Sequence, residues 1–544
     1  MSSIKLSITL NAALAAKYDK AALARIDKAL AAWRAADARR GITTVHVGID
    51  DAVAMRKLGV APLKGRSSAV KTKRALDALC RKLHPDYIVL FGGHDIVPMF
   101  VVANPSYDPN GDDDRDVPTD NPYACSTAYR ARQRKSYLVP DRAVGRVPDL
   151  TADANPAWLL DYLRRATAWK PRPAAFYASA YAVVCDEWKA AGEACMAYLG
   201  LPVAELQVSP PAHDADATAQ RRLGRSLHMI KCHGASLDPR FYGQKGTTYP
   251  EILLSGTLRG KLGEGTLAAA MCCYGAQVYS PADPAAQMPG AWPLATTYLR
   301  QGAVGFAGAT RIAWVGVDRM MCADWIAAAH LKSALGGASL GRALLDAKQD
   351  YVKWLAGQGQ QPDNADEKTL LEYLLLGDPS LQPVADPAAH AAPAGTPRAG
   401  AARSSPLLAQ ERGQRRAVRR AMAAQLRKAL PERREARAPD GAQARRLFKA
   451  VAQTMKPADV KLLEPARATV QRLVTPIARD GGGDASARRR VGAAAPHAAR
   501  ESLEYYWSGR SRPVGARGHV QIRLLKVETD TAGHIVRTRL LHGA

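Results

Sequence analysis

Residues 4–10 alternate Ile4, Leu6, Ile8 and Leu10 with Lys5, Ser7 and Thr9, a period of two that predicts a strand rather than a cleaved leader. The Ala-, Lys- and Arg-rich stretch 12–39 predicts a helix, and ITTVHVGID (42–50) a second strand. A helix over 68–83 leads into DYIVLF (86–91), a β-branched and aromatic run closed by Gly92 and Gly93. The alternation restarts after Asp149, with a helix over 153–169, a strand over 180–185, a helix to Leu199 and a short strand over 204–208. Two apolar runs follow at 227–232 and 267–272, then a strand over 302–309 and helices over 320–335 and 340–355. Residues 370–376 form a last helix or strand. Such alternation predicts an α/β fold with a mostly parallel sheet and helices on both faces, whose functional residues gather at the carboxyl ends of strands. The loop 104–116 is rich in Pro, Asn, Gly and Asp and is expected to be exposed.

The pattern changes near residue 385. An Ala/Pro-rich linker (385–405) precedes a basic helical region (406–480) in which 406–430 and 441–474 look helical. A Gly-, Ala- and Arg-rich linker (481–500) then leads to a small β-hairpin element (501–544) that turns near Thr531–Gly533. The division expected for the rest is an N-terminal α/β subdomain (1–150) and a second α/β subdomain (151–384).

Composition narrows the classes. With 47% hydrophobic and 23% charged residues, the chain is neither wholly disordered nor a disulfide-dense scaffold. Its eight cysteines are irregularly spaced and precede the basic tail, a pattern of reduced thiols in a cytoplasmic protein. No apolar run is long enough for a membrane span. Residues 386–544 hold 31 basic and 13 acidic residues, +18 of the chain's +26. That charge permits weak, salt-sensitive contact with nucleic acid through the tail, although stacking aromatics are nearly absent there until Tyr505, Tyr506 and Trp507.

Candidate chemistry lies where two apolar runs stop: Cys232-His233-Gly234, and forty residues later Cys272-Cys273-Tyr274-Gly275. In a parallel sheet both could present side chains at one rim. A deprotonated thiol attacks carbonyls and an imidazole moves the proton, while a glycine after the histidine lets the backbone come close enough for an N–H to bind an oxyanion. A zinc site from the same residues lacks the usual spacers between ligands, so no metal and no cofactor is expected.

Strand–His-Gly, a helical interval and strand–Cys-x-Gly resembles the caspase–legumain clan of cysteine peptidases. Further stretches are similar to the gingipain-like family: DYIVLFGGHDIVP (86–98), TDNPY (119–123), PDRAVGRVP (140–148) and LEYLLLGDPSL (371–381). The resemblance implies a three-layer α/β/α caspase-like fold and a cysteine-type endopeptidase, a thiol protease acting on protein or peptide substrates. It implies His233 as the catalytic histidine and Cys273 as the nucleophile, with the N–H groups of Gly234 and Cys273 as the oxyanion hole. A Cys-x-x-Gly register selects Cys272 instead. Asp120 corresponds to an aspartate that lines the specificity pocket for Arg or Lys in relatives with basic specificity, and read by itself it is a turn-capping residue. His94 and Asp95 are turn residues or assistants to catalysis, and Asp378 is structural. The rival reading is a basic nucleic-acid-binding or scaffold protein that carries an inactive caspase-like domain.

Overall fold

A computed structural model describes residues 3–386, 406–430, 432–435, 441–463, 468–476, 499–512, 519–530 and 532–543. Most of the two expected linkers, 387–405 and 481–498, lies outside the described residues.

One ten-stranded sheet runs through both expected subdomains. Its order is Ile42–Gly48, Ser3–Thr9, Tyr87–Phe91, Ala143–Val147, Tyr373–Leu376, Gly305–Ala309, Leu267–Ala270, Leu227–Lys231, Ala180–Cys185 and Leu206–Ser209. Neighbours are parallel except for Gly305–Ala309 against Tyr373–Leu376, so two five-stranded parallel halves meet at one antiparallel pair. Helices cover the sheet to complete the three-layer α/β/α arrangement. The central strands are buried on both faces, which is why they read as unbroken apolar runs rather than as alternation.

Local chemistry decides the helix ends. Ser68 caps Ala69–Leu83, and left-handed His84 ends it. Asp363 and Asp366 form a capping box at the start of Asn364–Glu372. The helix expected over 12–39 is two helices, Asn11–Lys17 and Lys20–Arg39. Tertiary bonds make the break: the Tyr18 hydroxyl donates to Asp149, and Asp19 turns to cap the second helix through Ala22 N–H.

The segments that resemble family motifs pack on one another. Asp378 accepts from Lys5 at 2.7 Å, from the Trp33 indole at 3.2 Å, and from the backbone and hydroxyl of Ser380. Lys5 also pairs with Asp37 at 2.5 Å, and all three charged groups are fully buried. Burial alone would raise the Asp378 carboxyl, but Lys5 and the Ser380 bonds hold it below the usual carboxylate range. Replacing Lys5 by Met removes the cation these carboxylates share. The expected cost is about 3–5 kcal/mol, read as a lowered urea midpoint.

The C-terminal region is more β-rich than its composition suggests. Pro406–Ala429 is helical as expected, but 441–474 divides into helices Gly441–Ala452 and Pro457–Leu462 and a strand Thr469–Pro476. The expected hairpin, with its turn closed by Gly533 N–H to the Asp530 carbonyl, is two strands of a six-stranded antiparallel sheet. The order is Trp314–Val315, Ile535–Gly543, Ile522–Thr529, Ala499–Arg510, Thr469–Pro476 and Glu432–Glu435. A lone hairpin cannot bury a face. Here Leu447, Phe448 and Val451 pack on Tyr505, Trp507, Leu525 and Val527 to make a second core. Part of the tail's basic charge is used on the peptidase body, where Arg416 pairs with Asp86 and Arg427 with Asp141.

Candidate active site

The strands Leu227–Lys231 and Leu267–Ala270 are parallel neighbours in a register that sets Ile230 beside Ala270. Three residues further along each chain stand His233 and Cys273, so the two motifs leave the sheet at one rim and at matching positions. His233-Gly234 then pairs antiparallel with Phe241 and Tyr242 in a small three-stranded sheet. The contact between the motifs is backbone to backbone. A Cβ on Gly234 would lie 2.0 Å from the Cys273 carbonyl oxygen, so only glycine permits this approach.

The Cys273 sulfur accepts a hydrogen bond from Ala313 N–H at 3.2 Å. Burial raises its thiol well above the ordinary range, against the Ala313 bond and Lys368, while Glu372 and Asp114 raise it further. Burial thus favours the neutral thiol over the thiolate. Cys272 points the other way, its thiol donating to the Ile230 carbonyl at 3.6 Å beneath the sheet rim. Cys273 keeps 5% exposure and Cys272 none.

His233 Nε2 lies 2.7 Å from the Gln244 amide oxygen. The Gln244 amide nitrogen donates to the Gly246 carbonyl, which fixes the amide so that its oxygen faces the histidine. Nε2 therefore carries the ring proton, and Nδ1 is the basic nitrogen. The ring packs 4.5 Å from Trp188 and 5.4 Å from Tyr249. Burial lowers its pKa to about 3 despite the Gln244 bond, helped by Arg523, His519 and His542. The imidazole is neutral at pH 7.

The structure brings His233, Gly234 and Cys273 together and sets Asp120 in a different group. Both Asp120 oxygens accept from Arg146, at 2.6 and 2.8 Å, and Arg146 also donates to the carbonyls of Gly92, Gly93 and Val97. Asp120 thus clamps Arg146, and a part in substrate selection would require this pair to open. Asp95 pairs with Lys17 and accepts from Ala152 N–H, a turn-stabilising role; His94 beside it is exposed.

The loop 104–116 corrects an expectation. It is anchored rather than exposed throughout, because fully buried Lys368 draws in Asp112 and Asp114, and the Asn104 amide donates to Asp112 at 3.0 Å. Burial raises Asp112 to about 6 against the Lys368 charge. Asp114 reaches the site itself, accepting from the Tyr274 hydroxyl and from Ile312 N–H. Sequence reading missed Trp188, Gln244, Tyr249 and Ala313 as well as Asp114. Each acts through a contact distant in sequence, and none stands in a motif that announces chemistry.

A thiol and an imidazole at adjacent strand ends of a caspase-like sheet are an arrangement that suits a cysteine peptidase. Comparison with known proteins agrees: a model of peptidase family C25, the gingipain family of cysteine peptidases, matches residues 20–183 and 258–384. The chain belongs to that family and is a cysteine-type hydrolase. The second matched segment contains Cys273, while His233 lies between the two. No curated protein matches. A solved structure named "Structure of Protease" is similar at 13% identity and a TM-score of 0.45, over 70% of this chain and 78% of that one. Among the described residues, no helix is long and apolar enough to cross a membrane.

Proposed function

We propose that the chain is a cysteine endopeptidase working through a Cys273–His233 dyad. The observation that carries this reading is the shared strand register that sets both residues at one rim, with Gly234 against the Cys273 peptide. His233 Nδ1 accepts the thiol proton as the sulfur attacks the peptide carbonyl carbon. Backbone N–H groups of Gly234 and Cys273 receive the oxyanion. The C–N bond then breaks, and the departing amine takes the proton from His233. Water, deprotonated by the same nitrogen, hydrolyses the thioester and restores the thiol. The neutral imidazole suits this sequence, since a protonated ring could not begin it.

Cleavage after Arg or Lys requires Asp120 to exchange Arg146 for the substrate side chain. Fluorogenic peptides with Arg, Lys, Asp or Asn before the scissile bond test the activity and its preference together. Hydrolysis after Arg and Lys alone is the expected result; equal rates on all four would remove Asp120 from specificity, and no hydrolysis by enzyme with an accessible Cys273 would defeat the dyad. All eight cysteines are unpaired and buried, which supports the cytoplasmic location we propose.

A further inference from the structure

The candidate dyad is nearly closed, with Cys273 at 5% and His233 at 6% exposure. The C-terminal sheet packs behind the residues that cover it. Trp314–Val315, directly after the Ala313 that bonds the Cys273 sulfur, pairs antiparallel with Gly543 and His542. His542 Nδ1 accepts from the Trp188 indole at 3.0 Å, and Trp188 in turn packs on His233. On the other flank, His519 stacks at 4.6 Å on Tyr249, the second aromatic neighbour of His233. Gln521 donates to the Gly246 carbonyl, the same oxygen that orients Gln244. Arg539 locks the final strand down with bonds of 2.6 and 2.8 Å to Asp363 and Asp366, the capping box of the helix that carries Lys368 and Glu372.

An extended peptide binds a protein through an open strand edge, where its backbone N–H and C=O groups find partners. The edge beside Cys273 is Trp314–Val315, and this chain's own strand already pairs with it. We propose that Ile535–Gly543 is an intramolecular latch that holds the peptide-docking edge of the active site and keeps the enzyme latent until it is displaced. The latch rests on the peptidase reading given above for its purpose, but not for its detection.

Gly543 provides the test. A Cβ there would stand 3.0 Å from Ile522 Cβ and 3.4 Å from Ile312 Cγ2, so Gly543→Val in the full chain wedges the strand away from its neighbours. His542→Ala removes the Trp188 partner without adding bulk, and serves if the first variant melts below the assay temperature. Two rates are measured for wild type and variants: alkylation of Cys273 by iodoacetamide, located by peptide mass spectrometry, and hydrolysis of the fluorogenic panel. Opening the latch is expected to raise both roughly tenfold, the shift in open population that loss of a single packing contact produces. Equal alkylation of Cys273 in wild type and in every folded variant would overturn the latch. Faster alkylation with no hydrolysis in any protein would uphold the latch and overturn the peptidase reading alone.

Discussion

Cys273→Ala is expected to abolish peptide hydrolysis, by at least about a thousandfold, while Cys272→Ala retains it. The two sulfurs are neighbours in sequence yet face opposite environments. Cys273 stands over the loop that begins at Arg311, bonded by Ala313 N–H, with Gly234 against its peptide carbonyl. Cys272 is sealed beneath the sheet rim near Cys232, with its thiol on the Ile230 carbonyl and its pKa raised by burial. His233→Ala should match Cys273→Ala in turnover but leave Cys273 open to alkylation, separating loss of the base from loss of the nucleophile. The assay is best run in the latch-opened Gly543→Val background, where the wild-type dyad gives the larger signal. Retained hydrolysis in Cys273→Ala and its loss in Cys272→Ala would move the nucleophile to Cys272.

Acidification from pH 7 to 5 is expected to lower the stability of the fold. Burial lowers the pKa of His46, His228, His330 and His542 to about 4 and that of His233 to about 3, all below the unfolded value near 6.5. Each contributes stability that is complete above the unfolded pKa and declines as pH falls towards the folded one, because the unfolded chain takes the proton first. At pH 5 that is about 2 kcal/mol per histidine. Asp112, raised to about 6, and Asp324, Asp346 and Glu372, also raised by burial, act in the opposite sense by binding protons before the unfolded chain does. These four carboxyls offset part of the loss from the five histidines. Urea unfolding at pH 7.5, 6 and 5 should show a falling midpoint, whereas an unchanged midpoint would mean that these imidazoles are charged in the fold.

Much of the sheet was legible in sequence because its strands are short and largely apolar, the central ones buried on both faces, and because helices of ordinary length separate many of them. The two rim motifs were legible for the same reason, each being a polar residue set at the end of an apolar run. What escaped was set by partners far along the chain. Tyr18 ends a helix by bonding to Asp149, and no glycine or proline marks the spot. Loop 104–116 has the composition of a solvent loop yet is anchored through Asp112 by buried Lys368, some 250 residues away. Asp120 gave no sign that its partner would be Arg146, although both stand in segments singled out by the family resemblance. The strand Thr469–Pro476 lay hidden in an Arg- and Ala-rich stretch because its neighbour, Ala499–Arg510, follows only after an intervening linker.

The strand Tyr373–Leu376 has a consequence for how the molecule is made. It is the last of the ten sheet strands to leave the ribosome, yet it lies at the centre, between Ala143–Val147 and Gly305–Ala309. Until it emerges, the first four strands and the other five are separate sheets with facing edges unpaired, since no other strand joins them. The nascent chain therefore carries both members of the proposed dyad for some hundred residues of synthesis before its scaffold can close, and by then the arginine-rich helix Pro406–Ala429 is the next helix to follow. Maturation of this peptidase is timed by topology: a keystone strand arrives late, and the strand proposed to shut the site, Ile535–Gly543, arrives later still.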